Sequence, residues 1–538
     1  MMRRVLLVLA VTLLASFAWC ARGPQEREIL RGVYTPTFSR MPPPDDLSAT
    51  IKGLREDLQT AEGHSLLSRL LPDQAGVLWL SLLVTLLVAF NFEQPRDRRN
   101  LDLLVSVALG AVLFNIMGFF EVLTLPRYWR LLDVTFTAVF ILNLTLLVRA
   151  CLRAGRSALT AWSPNLPRRA LATLGLLLLL CDVLLAMTRA PDDAGYFVNL
   201  GAQRLRERGT LPYGDPLLTG TPGAAYGPLL YLAHVPFQLL VSPGAVNPIS
   251  PSKPAPSDES PYYLPPILAT KLCTIALHLA GVLALFEIGR RVSGSIAAGW
   301  ALVSLYCGSA FVLGVGGMRD QIGGMTFVSH IGPTALTLVA FACLNRPAAA
   351  GTLLAVSGGA GFYPLFFLPA WTGFYWRRRA ELSRFLVGFA VAAAIIAGGT
   401  YALSRPAEGH SRLGTIVRDT LGHHTDPQGY GSSPFGFWGQ RGGWRRWASQ
   451  PLIAGSGLTS PVFLAFIALT CLAFFQARGA SAPRLASLTA AIAIGASLIK
   501  LHSTGTYVAW AYPFLLIGLL LDGGPRRDSR EGSRVPGF

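Results

Sequence analysis

The sequence predicts an all-α fold, a polytopic transmembrane helical bundle with outward-facing loops and interfacial helices. Three observations predict it. Of 538 residues, 52% are hydrophobic and 14% charged, against about 25% charged in ordinary soluble domains. Apolar runs of about 20 residues, the length a helix needs to cross the hydrocarbon core, recur along the chain. Arginines gather in the short connections on one side of these runs, the asymmetry that orients a chain in a bilayer.

Residues 5–19 form a short apolar run behind Arg3 and Arg4, with Ser16-Phe17-Ala18 at a cleavage-like position. Residues 1–21 are therefore a signal peptide or a signal anchor, and both remain open. Residues 22–75, mixed in charge with "MPPPDD" at 41–46, read as an extracytoplasmic segment. Apolar runs then predict spans at 76–92, 101–122, 132–150, 169–188, 264–288, 294–315, 325–344, 383–403, 461–476, 484–500 and 505–521. Residues 76–160 form a leading transmembrane bundle, 165–525 a second module, and 526–538 a cytoplasmic tail.

Arg96, Arg98, Arg99, Arg149, Arg153, Arg156, Arg168, Arg169, Arg290, Arg291 and Arg377 to Arg379 mark the cytoplasmic side. The long loops 189–263 and 404–460 then face outward, and Asp192 and Asp193 stand where the chain leaves the bilayer. A span over 225–241 would put Arg290 and Arg291 outside, so that stretch is predicted to lie at the outer surface. Residues 351–376 have arginines at both ends, with Gly-Gly-Ala-Gly and Pro364 in the middle. Two half-spanning helices meeting at a break are expected there, buried in protein or lining a cavity.

The net charge of +17 does not point to nucleic acid, because the arginines lie between apolar runs and not in a basic stripe interleaved with aromatics. The seven cysteines show no CxxC and no Cys/His spacing of a metal site. His423 and His424 offer half a zinc site without a second pair. No metal and no cofactor is expected.

Asp192 and Asp193 read plainly as caps of a short helix. The stretch that follows adds more: "DDAGYFVNLGAQRLRERGTLPYGDPLL" and then "YGPLLYLAHVPF" place a carboxylate, a helix, a Pro-Tyr turn and a Tyr-Gly-Pro-Leu opening in succession. Here the chain resembles the GT-C glycosyltransferases, which use polyprenyl-phosphate sugars. Arg290-Arg291-Val292-Ser293-Gly294 resembles their GRR-x-x-G turn. "GFYPLFFLPAW" (361–371) and "IKLHSTGTYVAWAYPFLL" (499–516) resemble two signatures of the prokaryotic polyprenyl-phosphate-mannose-dependent α-mannosyltransferases. The resemblance covers 165–525. Phe362 stands in place of the Lys usual before Tyr-Pro, and Gly227 in place of the first Pro.

The resemblance implies a GT-C bundle in the inner membrane that transfers a sugar, mannose by the nearest branch, to a lipid or glycan acceptor of the cell envelope on the extracytoplasmic face. A sugar phosphate carries its own leaving group, so one base suffices, unlike the carboxylate pair of a glycosidase. Asp193, ahead of Asp192, is the expected base in a single inverting displacement. Lys500, His502 and Arg319 are the candidates for the departing phosphate. A Lys500 that merely snorkels to the interface is the alternative. The motif tyrosines Tyr196, Tyr226 and Tyr507 are expected near substrate. The related branch has a histidine close to the reacting groups in the loop that here holds His423 and His424. Trp438, Trp444 and Trp447 are either stacking platforms for a sugar or interfacial anchors.

Within the spans, Asp182 and Lys271 are costly residues. Asp182 is expected to make a buried polar contact, and Lys271 and His278, seven apart on one helix face, line a passage or face a neighbouring helix. A transporter or flippase of lipid-linked or anionic substrates is the competing reading. It predicts mid-membrane polar groups and paired halves, and the sequence shows no internal repeat.

Overall fold

The computed structural model describes residues 76–118, 129–154, 162–188, 191, 193–215, 218, 222–241, 248–249, 262–263, 267–314, 327–422, 436–438, 443–449, 460–501 and 504–521. Segments 1–21, 22–75 and 526–538, with Asp192, Arg319, His423, His424 and His502, lie outside these residues, as does the side chain of Trp444.

The described chain is helical apart from a two-residue antiparallel pair, Pro248–Ile249 with Tyr262–Tyr263. In order, the helices are α1 (Gly76–Val88), α2 (Arg98–Gly118), α3 (Trp129–Ala154), α4 (Arg168–Thr188), α5 (Asp193–Arg208), α6 (Pro228–Leu240), α7 (Ile267–Ser293) and α8 (Ile296–Cys307). They continue as α9 (Ala310–Leu313), α10 (Val328–Ala342), α11 (Pro347–Gly361), α12 (Leu368–Tyr375), α13 (Arg379–Leu403), α14 (Arg412–Val417), α15 (Gly443–Ser449), α16 (Pro461–Ala477), α17 (Ala482–Leu498) and α18 (Tyr512–Leu520).

Among the described residues, four helices are long and apolar enough to cross a membrane: Arg130–Ala154, Arg168–Met187, Leu268–Ser293 and Arg379–Leu403. The sequence reading of eleven spans differs because several apolar runs are helical over only part of their length. Helix α8, for example, stops at Gly308 after 12 residues. Such a helix rises about 18 Å, short of a hydrocarbon core of about 30 Å. Helices α1, α6, α10, α16 and α17 are likewise apolar and shorter.

The arginine clusters lie at helix ends that touch one another. Arg149 and Arg153 near the end of α3 both pair with Asp102 at the start of α2. Arg291 of α7 donates to Ala342 O of α10, and Tyr375 OH at the end of α12 donates to Leu344 O. At the opposite end, Lys271 Nζ donates to Met187 O at 2.9 Å, joining the start of α7 to the end of α4.

Backbones meet closely where side chains are absent. A Cβ on Gly351 would strike Phe385 O, and one on Gly388 would strike Ala348 O, so α11 and α13 pack as small-residue membrane helices do. Helix α11 ends at Phe362, whose φ of 31° is the one positive value of a non-glycine among the described residues. A 3₁₀ turn, Tyr363–Phe367, and α12 follow. That is the interruption expected in 351–376.

The leading helices touch the second module. Helix α3 packs along α17, and Asn143 Nδ2 of α3 donates to Gly505 O beyond α17.

Candidate functional site

Helices α5 and α6 form a layer at the end of the bundle where α4 finishes. Asp193 opens α5, and the chain's polar last turn carries Arg206 and Arg208. The first half of α5 is embedded: Tyr196, Val198, Asn199 and Leu200 are buried. Gln238 of α6 donates to Asn199 O and Oδ1 at 2.6 and 2.7 Å, which fixes the two helices in register.

Two buried phenols set the entry to α6. Tyr213 OH donates to Tyr226 O at 2.7 Å, and Tyr231 OH donates to Gly223 O while accepting from Tyr226 N–H. Burial holds both phenols above their ordinary range. Tyr226 itself is half-buried. Gly227 then lies against α11, where a Cβ would meet Gly359 O and Ala360. A backbone contact thus joins the Tyr-Gly-Pro opening to the Gly-Gly-Ala-Gly stretch.

The two long loops are joined. Gly214 N–H donates to Asp419 Oδ2 at 2.8 Å, and Leu211 N–H to Leu403 O at 2.8 Å. Val198, Leu211, Tyr213, Leu230, Tyr231 and Val328 make a small core of this layer. Val328 belongs to the first turn of α10, two residues before His330.

His330 leads into an aromatic cluster that no single sequence motif contains. Tyr363 stacks on Trp510, with ring centroids 4.0 Å apart and planes 6° from parallel. Trp510 also stacks on Tyr507 at 4.6 Å. His330 packs against Tyr507 at 4.9 Å and edge-on to Trp510 at 5.8 Å, and Phe327 stacks on His330 at 5.0 Å. Thr334 Oγ1 bonds Tyr363 OH at 2.8 Å. Over these rings stands Lys500, its Nζ 4.0 Å from the Tyr507 centroid and 5.8 Å from that of Trp510.

Among the described residues no carboxylate pairs with Lys500, and Trp510, only 8% exposed, has no partner for its Nε1–H. The rings' negative faces hold the ammonium in place without cancelling its charge. An amine donor and an indole donor at one aromatic wall suit an anion with several acceptor oxygens, such as a phosphate.

The sequence singles out Lys500 and Tyr507, and the structure brings them together. Asp192, Arg319, His423, His424 and His502 fall outside the described residues, and Asp193 is placed only as the start of α5. Tyr196 lies in the α5 layer, Tyr226 at the start of α6. Trp438 is buried, its Nε1–H donating to Leu498 O and its ring edge-on to Phe140 and Phe437. Its ring serves as an anchor of the 436–438 segment in place of the open platform a sugar needs. Trp447 is exposed. His330, Tyr363 and Trp510 are the residues that the sequence reading left out of the site. Tyr363 and Trp510 do stand inside the two quoted signatures, whereas a lone His330 gives no local signal.

The polar residues of the spans face neighbouring helices. His278 Nε2 lies 3.0 Å from Asp182 Oδ2, both side chains without solvent exposure, so α7 meets α4 through His278 as well as through Lys271.

No family model matches the chain, and no curated protein and no solved structure compared with it matches either.

Proposed function

We propose that this chain is a membrane glycosyltransferase of GT-C type. It moves a sugar, mannose by the signatures it resembles, from a polyprenyl-phosphate donor to a lipid or glycan acceptor on the extracytoplasmic face of the inner membrane. The observation that carries this reading is Lys500: an ammonium held on Tyr507 and Trp510, without a carboxylate partner among the described residues, beside an unpartnered indole N–H.

In the reaction, the acceptor hydroxyl attacks the anomeric carbon as the sugar–phosphate C–O bond breaks. Asp193 or Asp192 takes the hydroxyl proton, and the electron pair of the broken bond leaves on polyprenyl phosphate. Lys500 and the Trp510 N–H stabilise that charge as it develops, the kind of preorganised donor that lowers a barrier most. A transporter of lipid-linked or anionic substrates would use the same cation differently, carrying its substrate across unchanged.

The test is mannose transfer by the purified protein in detergent, with polyprenyl-phosphate-mannose and a lipid extract. Wild type is compared with Asp193→Asn and Asp192→Asn. Transfer by wild type, lost in one of the two variants with donor binding intact, is the expected result and identifies the base. A wild type that binds the donor yet moves no sugar from any polyprenyl phosphate overturns the enzyme reading in favour of transport.

A further inference from the structure

Below the α5–α6 layer, three helices send three different ligand types to one point. Asp182 of α4, His278 of α7 and Cys307 at the end of α8 are all buried, and a carboxylate oxygen, an imidazole nitrogen and a thiol sulfur lie within 4.8 Å of one another. We propose that these residues form a binding site for one divalent transition metal, zinc by the chemistry of the set.

The donor set favours such an ion. Carboxylate oxygen, imidazole nitrogen and thiolate sulfur are the three ligands zinc takes, at bond lengths of about 2.0 to 2.3 Å. A tetrahedral ion at those lengths holds its ligand atoms about 3.5 Å apart. Here the His278–Asp182 pair is at 3.0 Å and the whole set spans no more than 4.8 Å, so rotamer-scale adjustment admits the ion. The fourth position falls to water.

Charge balance points the same way. A carboxylate, a thiolate and a neutral imidazole sum to −2, which one divalent ion cancels. Loading releases the Cys307 proton, and the loaded site is neutral inside the bundle, where net charge is costly. The competing arrangement, a bare Asp–His hydrogen bond, leaves Asp182 Oδ1 and His278 Nδ1 buried without hydrogen-bond partners. In it the Cys307 thiol serves only as a hydrogen-bond donor to Asp182. Tyr306, stacked on His278 with centroids 5.7 Å apart, holds the ring from its other side.

The ion would tie α4, α7 and α8 together about one and a half turns below Met187, and α4 leads directly to the segment that carries Asp192 and Asp193. It acts as a fastener for that exit point. Sequence spacing hides the site because its members lie on three separate helices.

The test is metal content of the purified full chain in detergent, stripped with a strong chelator and reloaded with Zn²⁺ or Co²⁺. Wild type is expected to retain one ion per chain, and the cobalt form to show a thiolate-to-cobalt charge-transfer band. Cys307→Ser removes the band and weakens retention at least about tenfold. Cys181→Ser, the neighbouring thiol, leaves both unchanged. A wild type that reloads no ion, or a cobalt form without the thiolate band, overturns the proposal. So does retention unaltered by Cys307→Ser and Asp182→Asn. If Cys307→Ser does not stay monodisperse, the wild-type cobalt spectrum decides alone. Sugar transfer needs no step through this ion, so either proposal is able to fail without the other.

Discussion

Asn143, in the middle of α3, donates its side-chain amide to the carbonyl of Gly505 at 2.9 Å, across 362 positions of sequence. Gly505 has φ +78°, and a Cβ there would sit 2.9 Å from Val139 and 3.0 Å from Asn143 Nδ2. The turn between Lys500 and Tyr507 is therefore shaped against the leading helices. Thr504 tightens it further, donating to Lys500 O at 2.6 Å and accepting from Phe437 N–H at 3.2 Å. Asn143→Leu strands the Gly505 carbonyl, which costs about 1–3 kcal/mol when buried. The expected outcome is a lower thermal midpoint and weaker binding of polyprenyl phosphate, read by unfolding scans and donor titration. An Asn143→Leu protein with wild-type values for both would remove the leading helices from any part in holding this turn.

The cation and the indole separate by substitution. Lys500→Met removes the charge and keeps the stem, and a hydrogen bond to a charged group is worth about 1.5–3 kcal/mol. Binding of polyprenyl phosphate is expected to weaken about 10- to 100-fold. Trp510→Phe keeps a ring on Tyr363 and loses only the N–H, so its loss is smaller, with melting nearly unchanged. Equal donor affinity in wild type and Lys500→Met would return Lys500 to an interfacial side chain.

Periodicity and arginine placement made the helices, and which of their ends meet, legible. They worked because a long apolar helix and a charged loop are local properties. The helix lengths were less legible, since an apolar run does not reveal where Gly308 or the Ala511-Tyr512-Pro513 start of α18 limits its helical part. The site was half legible. Lys500 and Tyr507 stand in one signature, but their wall is completed by Tyr363 and His330 from other helices, and only tertiary packing joins them. The same holds for Asp182, His278 and Cys307. Trp438 was ambiguous because an indole's pattern is the same whether its ring is open or, as here, packed on Phe140 and Phe437.

A proline at 227 tests the close contact of Gly227 with α11. Gly227 is backed by Gly359 O and Ala360 with no space for a side chain. A ring there forces α6 away from α11, an overpacking cost of about 1–3 kcal/mol. Gly227→Pro is expected to lower the melting temperature. A control at Gly209, where a Cβ meets nothing within 4 Å but φ is +65°, separates crowding from backbone strain. Should Gly227→Pro melt at or above wild type, the close contact with α11 is not a constraint.

His234 makes the docking of α6 sensitive to acid. The ring has no solvent exposure, with Nδ1 2.8 Å from Leu230 O and Nε2 3.0 Å from Thr270 Oγ1 of α7. A neutral ring satisfies both, donating from Nδ1 and accepting the threonine hydroxyl at Nε2. Burial pushes the imidazole down from 6.5 to about 4, opposed in part by the Leu230 carbonyl. Between those values the undocked helix binds a proton and the docked helix does not, so stability falls as pH falls. Above about 6.5 the contribution is complete. It declines by about 1.4 kcal/mol for each pH unit down to about 4, some 3 kcal/mol in all, and no further below. Hydrogen exchange of 228–240 between pH 7 and 4 reads this directly. His234→Gln keeps a donor and an acceptor but cannot titrate, so its α6 should open with little dependence on pH once intrinsic exchange rates are divided out. The same pH slope in His234→Gln as in wild type would assign the acid sensitivity to another group.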